Sequence, residues 1–203
     1  MRHAILTVTA AGLALALAGC HNKTDSDVVA AEDSVGNATD AATNVISDAA
    51  ADLRTAVTPA PTGLDFADRA AKSDAFEIAA AKLAGERAGS ADIKNFATMM
   101  IEDHTASAAK IKKAAAQAAP KITPDPTLTD DQKNKLDDLR KLSGADFDKE
   151  YADQQVDAHK EALSLMQLYA DKGEVPSLKE AAAAIVPTVQ GHLDKIKAIK
   201  DKQ

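Results

Sequence analysis

The sequence holds one cysteine, no tryptophan and aromatic residues at only 3%. A lone thiol, Cys20, has no partner for a disulfide and cannot supply a thiolate cluster to a metal, so packing must hold the fold together. The scarcity of aromatic rings removes the stacking platforms used for sugars and bases. Strand signals are also missing: there is no Val/Ile/Thr-rich alternation and no Asn-Gly hairpin turn. No glycine-rich phosphate loop and no nucleophile elbow occurs. Basic charge is in deficit, with 24 Lys and Arg against 31 Asp and Glu and a net charge of −7. Nucleic acid, which needs a basic footprint, is excluded as a partner, as is simple electrostatic adhesion to anionic lipid. No apolar run reaches the length of a transmembrane helix.

The start of the chain carries an address. Arg2 and His3 precede an uncharged apolar run, Ala4 to Ala18, with the length of a signal-peptide core. It ends in Leu17-Ala18-Gly19-Cys20, which resembles the bacterial lipobox. The expectation is a signal peptide over 1–19 and lipid chains on Cys20 that anchor the protein to a membrane without spanning it. The next residue is His21, not the Asp that resembles an inner-membrane retention signal. The implied location is the bacterial cell envelope, on the periplasmic side of the outer membrane.

Residues 20–63 form a low-complexity Ala/Asp/Thr segment that reads as a flexible tether. Thr58 to Gly63, with Pro59 and Pro61, makes its hinge. From 64 to 203 the apolar period is helical throughout. Four long helices are predicted: Asp65 to Ala88, a second that starts after the N-cap Ser90 and ends before Pro120, Ala145 to Asp171, and Pro176 to Ile199. Gly89 and Gly173 read as C-terminal caps. A short extra helix, Thr129 to Leu142, falls in the long connection. Pro187 should kink the last helix. The fold class is therefore all-α, a four-helix bundle. Its topology is either up-down-up-down or the ferritin-like crossover, in which the long connection climbs back along the bundle.

Spacings of 4-3-4-3 mark the seams: Ile93, Ala97, Met100, His104, Ser107, Ile111; then Ala152, Val156, His159, Leu163, Met166, Ala170; then Leu178 through Val189 and His192 to Ile199. The first helix reads as a stripe of Ser73, Phe76, Ala80 and Leu83, with Glu77 at its flank. Of five histidines, three fall in this domain: His104, His159 and His192. Each lies on a different helix, each on a seam. The rise per residue puts all three near mid-height, within about one or two turns of each other, in either topology. Glu77 stands at a similar level.

Three imidazoles and a carboxylate suit one transition-metal ion, Cu, Zn, Mn or Fe. Met100 and Met166, on the same seams, would add thioethers that favour copper. The same residues could instead bond one another, or Glu77, Ser73, Ser107 or Tyr151, and fix the register of the bundle as a structural polar core. Glu102 and Asp103 read as a solvated helix face; the alternative is that Asp103 orients a histidine on another helix. A metal-dependent enzyme would further need an open coordination position.

Glu77-Ile78, Phe96-Ala97 with Met100 and Asp103-His104, Phe147-Asp148 with Tyr151, His159, and His192-Leu193 span nearly all of 65–199. In these features the chain resembles domain-of-unknown-function family 4142. These are bacterial envelope proteins, often labelled outer-membrane proteins and grouped with ferritin-like four-helix bundles. The resemblance implies the fold and no reaction. The chain departs from a di-iron bundle, which needs Glu-x-x-His on two helices. Ile101 and Val189 stand where those glutamates belong. A mononuclear, histidine-rich site is the form that a metal centre would take. The expected role is an envelope lipoprotein whose bundle is a binding or structural module, or alternatively a periplasmic metal-binding protein in metal handling or stress protection.

Overall fold

The structure, a computed structural model, describes residues 59–203. The signal peptide, Cys20 and nearly all of the tether lie outside these residues. Five helices follow: α1 (Gly63–Arg87), α2 (Ala91–Ala115), α3 (Asp130–Arg140), α4 (Gly144–Lys172) and α5 (Pro176–Lys200). No helix among the described residues is long and apolar enough to cross a membrane. The four long helices form a ring in which α1 packs on α2, α2 on α5, α5 on α4 and α4 on α1.

The helices start and stop for local reasons. Thr62 caps α1, accepting from the Asp65 N–H, and Ser90 caps α2, accepting from the Asp92 N–H. Thr129 and Gln132 close a reciprocal capping box on α3. The second helix ends at Ala115, short of the expected boundary at Pro120. The Ala115 carbonyl accepts from the Ile122 N–H, and Ile122 packs against the core, so the chain turns early. Pro187 stands on the exposed side of α5, which remains one helix from end to end.

The connection between α2 and α4 is a crossover, which resolves the topology. Ala88 pairs with Gly144, so α4 begins at the end where α1 finishes. At the opposite end Gly63 N–H donates to Glu174, and Ser177 donates to the Ala114 carbonyl. The returning segment is tied to α1 by Asp68, which accepts from the Asp125 N–H, and by Gln132 donating to the Lys72 carbonyl. Every neighbouring pair of long helices is thereby antiparallel.

Gly89 is not a left-handed cap; Ala88 caps α1 in an extended conformation. Gly89 is needed for proximity, because a Cβ there would stand 3.1 Å from the Gly144 Cα. Gly144 itself has φ +63°, the left-handed region that favours glycine. Beside this crossing, buried Asp148 accepts from the N–H groups of Gly89 (3.0 Å) and Ser90 (2.7 Å), placing a carboxylate at the positive end of α2.

The core is divided. One apolar half contains Phe76, Ile93, Phe96, Met100, Leu136, Leu139, Phe147, Tyr151 and Ile196. The other contains Phe66, Ile111, Met166, Tyr169, Leu178, Ile185 and Val189, with Phe66 and Tyr169 stacked at 3.9 Å. Between them lie Asp74, Glu77, His104, Gln155, His159 and His192, all buried. On each long helix the polar residues fall where one half gives way to the other, so the four helices together build a polar layer at mid-height.

Candidate metal centre

The seam of α1 is set by alanines. Ala67, Ala70, Asp74, Glu77, Ala81, Ala84 and Ala88 are all buried, whereas Ser73 and Leu83 are half-buried. Of the stripe expected through Ser73, Phe76, Ala80 and Leu83, Phe76 and Ala80 are buried; the buried face widens to one side of them, so that Glu77 is at its centre, 1% exposed, rather than at the flank. Alanine is weakly apolar and leaves little trace in a hydrophobic pattern. Its small side chain lets neighbouring helices approach and sinks Asp74 and Glu77 into the core.

The three histidines converge as their spacing predicts. Their ring centroids are 5.8 Å apart for His104 and His159, 5.5 Å for His104 and His192, and 5.4 Å for His159 and His192. One nitrogen from each lies within 4.8 Å of the other two. Nitrogens that share an ion at metal–nitrogen distances of about 2 Å stand at most about 4 Å apart, so a shared ion would draw the rings together by up to about an ångström. Phe96 presents its ring edge-on or near it to His159 and His192, at 6.4 and 6.3 Å, and closes one side of the layer.

Each ring is held by its other nitrogen. His104 Nδ1 is 2.8 Å from Asp74 Oδ1 on α1, and His192 Nε2 is 2.8 Å from Asp103 Oδ2 on α2. His159 Nδ1 is 2.8 Å from the Gln155 carbonyl on its own helix. A carbonyl or an ionised carboxylate only accepts, so these nitrogens carry the protons; that assignment follows from the bonding network. The remaining nitrogens are Nε2 of His104, Nε2 of His159 and Nδ1 of His192. All three are buried and have no hydrogen-bond partner within the protein. When the rings are neutral, each of these nitrogens offers a lone pair.

Asp103 therefore does more than edge a solvated face. Its side chain is 37% exposed, yet it reaches across to orient His192. Glu77 does not belong to the group of three histidines; its Oε2 accepts from Gln155 Nε2 at 2.6 Å. Of the two seam methionines, Met100 lies in the first apolar half of the core, while Met166 lines a small cavity beside His104 and His192. Asp74 and Gln155 escape a hydrophobic reading altogether. The signal for Asp74 was the 4-3-4 run Ala70, Asp74, Glu77, Ala81.

Electrostatics keep two of the rings neutral. Burial pushes His159 down to about 4, helped by the neighbouring His104. Burial also lowers His192, partly opposed by its Asp103 hydrogen bond. Burial pulls His104 down too, but the Asp74 hydrogen bond and the charges of Glu77, Asp74 and Asp103 together hold it above the ordinary histidine value. Burial raises Asp74 and Glu77, with His104 opposing the rise in both. The layer thus concentrates buried carboxylates around a set of imidazole lone pairs, an environment in want of positive charge.

Two solved structures share the fold. "CopM in the Cu(II)-bound form" superposes with a TM-score of 0.60 at 18% identity, over 70% of this chain and 98% of that one. "CopM in the Cu(I)-bound form" gives 0.58 at 18% identity, over 70% and 97%. No curated protein matches the chain. The family model described as "Domain of unknown function (DUF4142)" matches residues 48–199, and the chain belongs to that family.

Proposed function

We propose that this protein is a transition-metal-binding module of the bacterial envelope, holding one ion between His104, His159 and His192. The observation that carries the reading is the division of labour within each ring. One nitrogen is fixed by an oxygen acceptor and the other is buried without a protein partner, and one nitrogen of each ring lies within 4.8 Å of the other two. A structural polar core would pair those nitrogens, since each buried unsatisfied group costs about 1–3 kcal/mol. A metal site needs them bare, and it needs the far nitrogens held by carboxylates or carbonyls.

Charge supports the same reading. A divalent ion at the centre would be offset by Asp74 and Asp103 behind two of its ligands, with Glu77 nearby. Three imidazoles suit Zn and both oxidation states of copper better than the harder ions that prefer carboxylates. The fold shared with the two copper-bound CopM structures makes copper the first ion to try. The lipobox at Cys20 supports an anchored protein facing the periplasm, where such a module would sequester or hand on its ion.

The test uses the mature chain purified without a histidine tag, with metal content measured by mass spectrometry after loading with Cu or Zn. One ion per chain is expected, with none retained by His159→Leu. A folded wild-type protein that retains no ion, and whose melting temperature does not respond to Cu or Zn, overturns the proposal.

A further inference from the structure

We propose that the ion in this site keeps one coordination position for an exogenous ligand the size of a water molecule, seated in a chamber beside His104 and His192 with Asp74 Oδ2 as its acceptor. This rests on the metal-binding reading above and adds which group completes the coordination. The chamber has a volume of about 20 Å³ and is lined by Asp74, His104 and His192, together with Ser107, Met166 and Thr188 among others. A single water needs about 10–15 Å³, so the space admits one such molecule.

Three of the lining residues carry orphaned polar atoms. Asp74 Oδ2, His104 Nε2 and His192 Nδ1 are each buried and make no hydrogen bond of ordinary length within the protein, though the Ser107 hydroxyl stands near Asp74. Asp74 is 4% exposed, and its other oxygen is engaged by His104. His159, the third histidine, does not line the chamber. Two ligands thus border the chamber and the third stands outside it. Asp103 and exposed Thr188 also line the space and lead from it toward solvent.

The rival for the fourth position is the Met166 thioether. The chemistry of Asp74 decides between them. A sulfur carries no proton and would leave the second oxygen of this buried carboxylate to the Ser107 hydroxyl alone. A bound water has two protons, and can give one to Asp74 Oδ2 while its oxygen faces the ion. Three protein ligands with a fourth position left to water or another small molecule is the arrangement of a metal that reacts, rather than of one that only braces a fold.

The experiment loads the untagged mature chain with Cu(II) and compares electron–nuclear double resonance in ordinary and heavy water. A strongly coupled exchangeable proton, lost in heavy water, is expected. Added imidazole, a neutral ligand too large for the chamber, should leave the wild-type spectrum unchanged. It should add a further nitrogen coupling in Met166→Ala, which widens the chamber. Copper bound with no such exchangeable proton overturns this inference and leaves the metal-binding reading standing. Wild-type protein that accepts imidazole as readily as Met166→Ala also overturns it. Failure to take up copper at all brings down both. The heavy-water comparison needs only the wild-type chain, so it stands even if Met166→Ala does not fold.

Discussion

Asp74 on α1 and His104 on α2 meet at 2.8 Å, oxygen to Nδ1, with both side chains almost wholly buried. A buried pair of this kind contributes little net stability, because desolvation of both partners offsets their attraction. Its effect is positional: it sets the tautomer and the aim of the ring. Asp74→Ala leaves Nδ1 without an acceptor and should cost about 1–3 kcal/mol in urea denaturation of the metal-free protein. It should also weaken metal affinity by about 10–100-fold. Asp74→Asn keeps an oxygen acceptor and should lose less of both. Equal losses in the two variants would mean that the negative charge of the carboxylate, not its shape or a neutral oxygen acceptor, positions His104.

The pH dependence of the metal-free protein should expose His159. Its folded value is about 4 against an ordinary 6.5, so between these the unfolded chain binds more protons than the folded one. Stability from this group is complete above pH 6.5 and is lost as pH falls toward 4. At about 1.4 kcal/mol per pH unit the loss is roughly 3 kcal/mol. His192, also lowered, acts in the same direction; His104, Asp74 and Glu77, all raised, act against it. The contribution of His159 is isolated by difference. His159→Leu should fall less steeply than wild type between pH 6.5 and 4 in urea titrations at fixed pH, and parallel curves would refute the assignment.

The capping carboxylate at the crossing of α1 and α4 gives a control remote from the polar layer. Asp148 accepts two backbone N–H groups at the start of α2 and is buried. Asp148→Ala should destabilise the bundle by about 1–3 kcal/mol, the cost of an N-cap and of a buried unsatisfied donor. The ion content of the folded protein should be unchanged. A loss of metal in this variant at a temperature where it is folded would show that the two ends of α2 and α4 control the site geometry.

The fold and the three histidines were legible because seam spacing survives in Ile, Leu, Met and Val, and an imidazole on such a seam stands out. The helix rise then brought His104, His159 and His192 to one level, and their ring centroids do lie within 5.8 Å of each other. The groups that hold those rings were harder to see. Asp74 sits on an alanine seam that barely registers as apolar, Gln155 acts through its backbone carbonyl, and Asp103 looks like any acidic residue on a wet face. The crossover was not legible either, since it depends on Gly89 and Gly144 approaching each other across the whole of α2 and α3.

Replacement of the Asp74–His104 pair by leucines separates the cost of the polar layer from its use. A single His104→Leu change strands Asp74, already 4% exposed, without the partner that opposes its desolvation, and should destabilise the protein by about 3–5 kcal/mol. The double variant Asp74→Leu/His104→Leu removes both polar groups and joins the two apolar halves of the core on that side. It should be no less stable than metal-free wild type, because apolar replacements of buried ion pairs are often neutral or stabilising. It should also have lost its metal. A double-mutant cycle in urea, run beside metal analysis, reads both quantities. If the double variant is instead as unstable as the sum of its single changes, the pair is a structural key and the layer is retained for packing. If the double variant is stable and metal-free, the sequence keeps Asp74 and His104 in its core at a cost in stability, and ligand binding is the reason.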